Sequence, residues 1–124
     1  MAKSKMAEEV GEVESISGVN VIRGHFTDVS VEDLRNMAEK LRDKESALIV
    51  LSTVSEGKVN FVCASPKALI EKGFKAGDIV REVAKIAGGG GGGRPDMATA
   101  GAKDASKVEE AMARVKDIVN AIGN

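Results

Sequence analysis

The 124-residue chain has no tryptophan or tyrosine and only three phenylalanines. Single-stranded nucleic acid is commonly gripped by exposed aromatic rings interleaved with positive charge, and this chain cannot supply a row of them. A single cysteine, Cys63, excludes an intramolecular disulfide and a Cys-rich zinc site. The one histidine, His25, shares no metal-ligand spacing with Cys63 and reads as a strand-end residue. No apolar run approaches the roughly 20 residues needed to span a bilayer, and the N-terminus lacks the apolar centre of a secretory signal. These absences point to a reducing, cytoplasmic setting with no membrane contact.

What remains is an aliphatic chain, 43% apolar, with the length of one domain. The net charge is −1, but it is unevenly spread: residues 66–107 carry 8 Lys/Arg against 5 Asp/Glu, whereas residues 1–65 carry 8 against 11. The positive excess surrounds a run of six glycines, Gly88 to Gly93. It suits either a binding surface or an ordinary solvated face.

Hydrophobic periodicity divides the chain into a lead-in, residues 1–17, and a domain, residues 18–124. The lead-in, rich in glutamate, is where a cut from a larger protein would fall, with room for a short helix or an extra edge strand. Val19 to Phe26 alternates as a strand. Ser30, three residues before Asp33, suits a helix N-terminus, and Leu34, Met37, Ala38 and Leu41 continue at helical spacing to about Lys44. Ala47 to Leu51 reads as a central strand, Ser55-Glu56-Gly57 as a turn, and Lys58 to Cys63 as the return strand of a hairpin. Pro66 opens a short helical piece through Leu69 and Ile70, broken at Gly73. Asp78 is placed to cap a second helix whose buried face is Ile79, Val80, Val83, Ile86 and Ala87, ending at Gly88. Met97 to Ala102 is expected to be a short, tightly packed strand. Asp104 or Ser106 then opens a final helix with Val108, Met112, Val115, Val119 and Ile122 on one stripe, closed by Gly123. The expected fold is α/β: a single mixed sheet of about four or five strands flanked by about three or four helices.

Six consecutive glycines carry a large conformational entropy cost, so an ordered role is expected. Their amides can form a concave nest for an anion, or their missing side chains can admit a second backbone; a flexible linker is the plain alternative. The tract contains Gly-x-Gly-x-x-Gly, but a helix precedes it where a dinucleotide site needs a strand. Arg94-Pro95 stands where a phosphate-binding loop for ATP needs Gly-Lys-Ser/Thr. The carboxylate pairs Glu8/Glu9, Glu32/Asp33 and Glu109/Glu110 fall in polar segments or first helical turns and read as dipole partners. No catalytic residue is assigned.

The stretch from Gly88 through Arg94-Pro95-Asp96-Met97-Ala98-Thr99-Ala100-Gly101 closely resembles the signature of alanyl-tRNA synthetase C-terminal domains. The resemblance continues through Ile16-Ser17-Gly18-Val19, Asp33-Leu34-Arg35, Gly57-Lys58-Val59 and Lys75-Ala76-Gly77-Asp78-Ile79-Val80, and covers about residues 16–122. It implies a module that holds the outer corner of tRNA, here tRNA-Ala, and serves the aminoacylation and editing domains of an alanine–tRNA ligase. It also implies that ATP, magnesium and zinc belong to those other domains, with no cofactor or metal in this chain. The partners it implies are tRNA, the remaining synthetase domains and, as an alternative role, a second copy through dimer contacts. Related domains occur in free-standing alanyl-tRNA editing proteins and in phosphoesterases with an Asp-His-His motif; the latter typically have His after the glycines, where this chain has Arg94. With aromatics scarce, RNA contact is expected through Gly88, Gly89, Gly90, Gly91, Gly92, Gly93 and Arg94, with Lys72, Lys75, Arg81, Lys85 and Lys103 as phosphate partners. The plain readings are that Lys72 and Lys75 solvate a turn, that Arg81 and Lys85 are ordinary helix charges, and that Asp96 holds Arg94.

Overall fold

The computed structural model describes residues 13–123. Its chain order is β1 (Glu14–Ile16), β2 (Val19–Thr27), α1 (Val31–Glu45), β3 (Leu48–Ser55), β4 (Lys58–Ala64), α2 (Lys67–Ile70), α3 (Ala76–Ile86), β5 (Gly90–Gly93), β6 (Met97–Ala102), a 3-10 turn (Ala105–Lys107), α4 (Val108–Ala113) and α5 (Val115–Gly123). The strands form one sheet in the order β1-β2-β3-β4-β6-β5. Only β2 and β3 pair in parallel, joined through α1, and every other neighbour is antiparallel. The mixed α/β class is as expected, but the sheet has six strands. The added one is the glycine tract itself, which carries no side-chain alternation to reveal it. The glutamate pair Glu8/Glu9 and most of the lead-in lie outside the described residues.

Both faces of the sheet are covered, which explains the unbroken apolar run at its centre. Val21, Leu48, Val50, Phe61, Cys63, Ala98 and Ala100 share one face with α3, α4 and α5. Ile22, Phe26, Ile49, Leu51, Val62 and Ala64 share the other with Leu34 and Ala38 of α1. Strand β3 runs beyond Leu51 to Ser55 because its polar residues find partners. Ser52 Oγ lies 2.8 Å from His25 Nδ1, and Thr53 Oγ1 accepts from the Val29 amide at 3.2 Å. The hairpin turn falls where expected, with Ser55 opposite Lys58.

Helix α1 begins as its sequence dictates: Ser30 Oγ accepts from the Asp33 amide at 3.1 Å, with Glu32 and Asp33 in the first turn and Arg42 and Lys44 in the last. Helix α3 departs from expectation. It starts at Ala76, two residues before Asp78, and no side chain caps it. The Pro95 carbonyl instead accepts from the Ala76 amide at 2.8 Å, so a tertiary contact satisfies the helix end. The final helix is also divided. Asp104 Oδ1 accepts from the Ser106 amide and opens a 3-10 turn, and the helical run breaks at Arg114 into α4 and α5. Val108, Met112, Val115 and Val119 are nonetheless all buried, with Ile122 packed against the same core.

Candidate nucleic-acid interface

The glycine tract is neither a nest nor a linker: four of its residues are an edge strand. Gly90 to Gly93 pair with Gly101, Ala100, Thr99 and Ala98 of β6, and among the described residues the far side of β5 has no strand neighbour. Close approach requires glycine at two positions and favours it at a third. A methyl group on Gly89 would overlap the Gly101 carbonyl oxygen, one on Gly91 would meet Ala100 Cα at 2.6 Å, and one on Gly93 would meet Ala98 Cα at 3.2 Å. From the helix side, a Cβ on Gly77 would stand 2.8 Å from the Gly93 carbonyl oxygen, so α3 rests directly on the backbone of β5. Gly88 has φ +77, the left-handed residue that ends α3 and turns the chain toward the sheet. Gly90 differs from all of these. It is exposed, and a Cβ there would have nothing within 4 Å.

An edge strand leaves every second amide and carbonyl free of its neighbour, and here the strand itself carries no side chain to stand over them. Of the basic residues named from the sequence, Arg94, Arg81 and Lys103 reach this edge, and they do not form a single patch. Arg94 is exposed at the end of β5 and turns toward α1, where it lines a cleft of about 510 Å³ with Arg35, Asn36 and Arg42 of that helix. Among the described residues Arg94 makes no ion pair; Asp96 does not hold it. The Asp96 carbonyl instead accepts from Arg42 Nη1 at 3.2 Å and from the Ser65 amide at 3.0 Å. Lys103 lies at the opposite end of the edge, in a cleft of about 610 Å³ shared with Lys58, Asn60 and Gly88 to Gly90.

Arg81 and Lys85 belong to α3 on the other face of the sheet. Each is engaged one turn away along its own helix, Arg81 with Asp78 at 3.3 Å and Lys85 with Glu82 at 3.4 Å. Arg81 still reaches the edge, its Nη2 standing 3.8 Å from where a Cβ on Gly92 would be. Lys72 and Lys75 are exposed on the connection between α2 and α3, away from both clefts. Arg35, Arg42 and Lys58 are not among the residues expected from sequence to contact RNA. Helical and strand spacing place them on solvated faces, and only the fold brings them beside the glycine strand.

The candidates for chemistry are accounted for locally. His25 engages Ser52, and Cys63 is fully buried in β4, where burial pushes its thiol pKa upward and away from reactivity. Glu32/Asp33 and Glu109/Glu110 occupy first helical turns. Among the described residues, no three His, Cys, Asp or Glu side chains are grouped to hold a metal ion, and no helix is long and apolar enough to cross a membrane.

The same geometry recurs in known proteins. A family model described as the DHHA1 domain matches residues 13–121. The alanine–tRNA ligase of Alkaliphilus metalliredigens is 43% identical over 120 residues, covering 96% of this chain and 14% of the ligase. That of Clostridioides difficile is 49% identical over 105 residues, covering 84% and 12%. The chain thus spans about one-seventh of the length of these relatives. Among solved structures, the C-Ala domain of Aquifex aeolicus alanyl-tRNA synthetase matches with a TM-score of 0.82 at 33% identity, covering 89% of this chain and 99% of that one. RecJ of Thermus thermophilus matches at a TM-score of 0.62 and 15% identity over 95% of this chain and 17% of its own, a likeness of fold alone. A six-stranded mixed sheet edged by a bare glycine strand, and a family match over nearly all described residues, lead to one statement: the chain belongs to the DHHA1 domain family.

Proposed function

We propose that this chain is the tRNA-binding domain of an alanine–tRNA ligase, holding the outer corner of tRNA-Ala so that aminoacylation and editing domains of the parent protein act on one bound tRNA. The observation that carries this reading is Gly90. The fold accounts for Gly88, Gly89, Gly91 and Gly93 through backbone conformation or packing, whereas a side chain at Gly90 would project into open solvent beside the free edge. A missing side chain that the domain does not need internally suits a ligand that must come close to the backbone. RNA recognised through phosphates, 2′-hydroxyls and shape meets that requirement without aromatic platforms.

Arg94, Arg81 and Lys103 stand along or beside the edge as phosphate partners, and Lys72 and Lys75 on the connection between α2 and α3 would meet RNA that extends beyond it. Lys85, held by Glu82 on the outer face of α3, is the weakest member of the set. The high identity to alanine–tRNA ligases supports the same assignment. On this reading ATP, magnesium and zinc act in other domains of the parent, and the working compartment is the cytoplasm.

The test is binding of the chain to whole tRNA-Ala and to a minihelix lacking the corner, across a salt series. Whole tRNA should bind more tightly, with log affinity falling against log salt by about 0.7–0.9 per phosphate contact. Equal affinity for the two RNAs, or a slope near zero, overturns the reading.

A further inference from the structure

Resting on that reading, we infer that the RNA backbone enters the cleft between α1 and the Arg94–Asp96 turn, where Arg35 and Arg94 together hold a phosphate and Glu32 and Asp96 accept neighbouring 2′-hydroxyls. The ligand is thus the ribose–phosphate chain of RNA on the α1 side of the edge.

The three arginines of the cleft are not equivalent. Arg42 is largely covered, with its side chain 14% exposed, and it is neutralised by Asp43 at 3.0 Å and Glu39 at 3.9 Å. Its remaining bond fixes the Asp96 carbonyl. Arg35 and Arg94 are exposed and, among the described residues, make no ion pair. A guanidinium without a carboxylate partner keeps its donors for an incoming oxyanion, and two such groups on one cleft can share a phosphate.

The turn that carries Arg94 is held from three elements. Arg42 of α1 and the Ser65 amide both donate to the Asp96 carbonyl, and the Ala76 amide at the start of α3 donates to the Pro95 carbonyl. Ordering this turn in advance lowers the entropy lost when Arg94 engages a ligand. Arg42 is therefore a positioning residue for the cleft.

The acidic lining decides the ligand class. Glu32 and Asp96 offset the charge of Arg35 and Arg94, so an isolated phosphate gains little net attraction from the site. An RNA strand carries both phosphates and hydroxyl donors, and a lining that holds both guanidinium donors and carboxylate acceptors can engage both. DNA lacks the 2′-hydroxyl and would leave the carboxylates facing phosphates unpaired. The α3 face offers no equivalent, since Arg81 and Lys85 are each engaged within the helix.

The test measures affinity for a tRNA-Ala transcript from low to moderate salt. Arg35→Ala should weaken binding about tenfold and reduce the salt slope by about 0.7–0.9, matching Arg94→Ala, while Lys85→Ala changes both less. If tRNA binds and Lys85→Ala weakens it while Arg35→Ala does not, the RNA lies over α3; the cleft assignment falls and tRNA binding stands. A second measurement separates the two claims when tRNA does not bind. The arginine Nε–H NMR signals of Arg35 and Arg94 are followed during titration with an RNA tetranucleotide and with its DNA counterpart. Joint shifts with RNA alone support the cleft independently of tRNA, and no shift, or equal shifts with both, overturns it.

Discussion

The two edges of the sheet are handled in opposite ways. At one edge, β1 is three residues long and tied down by side chains. Arg23 of β2 reaches Glu14 through two bonds of 2.8 Å and donates to the Met112 carbonyl at 3.0 Å, locking β1 and β2 to the end of α4. Ser17, in the turn after β1, bonds Asn120 of α5. At the other edge, β5 has no side chains at all and is held by backbone pairing to β6 and by the backbone-to-backbone seat of α3. Exposed strand edges invite pairing with other chains and are normally shortened, charged or covered. The β1 edge follows that practice. The β5 edge is left bare with cations at its ends and side, which is the expected arrangement when the edge meets a polyanion.

The contrast can be broken most severely at Gly89. A Gly89→Ala change forces a methyl group into the Gly101 carbonyl and Ala102, so the chain entering β5 must move away from β6. It should cost about 3 kcal/mol, seen as a lower urea midpoint. Between the edges, Cys63 in β4 supplies a pH test of the sheet centre. Its folded pKa is raised by burial, so stability is complete below the ordinary thiol value and is lost as pH rises above roughly 8.5, because only the unfolded thiol then ionises. The slope should approach about 1.4 kcal/mol per pH unit, and Cys63→Ala should remove it in urea titrations at successive pH values.

At the tied edge, Arg23→Ala should lower stability by about 1 kcal/mol, since the pair it breaks is only partly buried. Affinity for tRNA should be unchanged, because four strands separate this edge from β5. The smallest stability effect, within about 0.5 kcal/mol, is expected for Gly90→Ala, where the new methyl group meets open space. That same change should weaken tRNA binding about fivefold by holding the RNA backbone off the edge. Unaltered binding by a stable Gly90→Ala protein would remove the contrast between the edges.

Much of the fold is legible because its elements announce themselves through side chains. Ser30 and Asp33 mark the start of α1, the apolar run from Ala47 marks β3, and Ser55-Glu56-Gly57 marks the hairpin. The α3 stripe is equally plain, although its first residue is not: the partner of the Ala76 amide is Pro95, nineteen positions on. Strand β5 escapes sequence reading because periodicity needs side chains to alternate. The candidate site is only partly legible for a related reason. Arg94 stands out beside the glycines, but Arg35 looks like any exposed helix charge until α1 is laid over the sheet.

Composition and order alone pointed to an aliphatic mixed sheet packed against helices, to a chain without a row of aromatic rings, and to an ordered role for its glycines. Those properties depend on which residues are present and on their near neighbours. Whether the glycines fold into a nest or an edge strand, and which cations remain unpaired beside them, depended on contacts between residues distant in the chain. Gly77 against Gly93, Arg42 against Asp96 and Ala76 against Pro95 exist only once α1 and α3 close over opposite faces of one sheet.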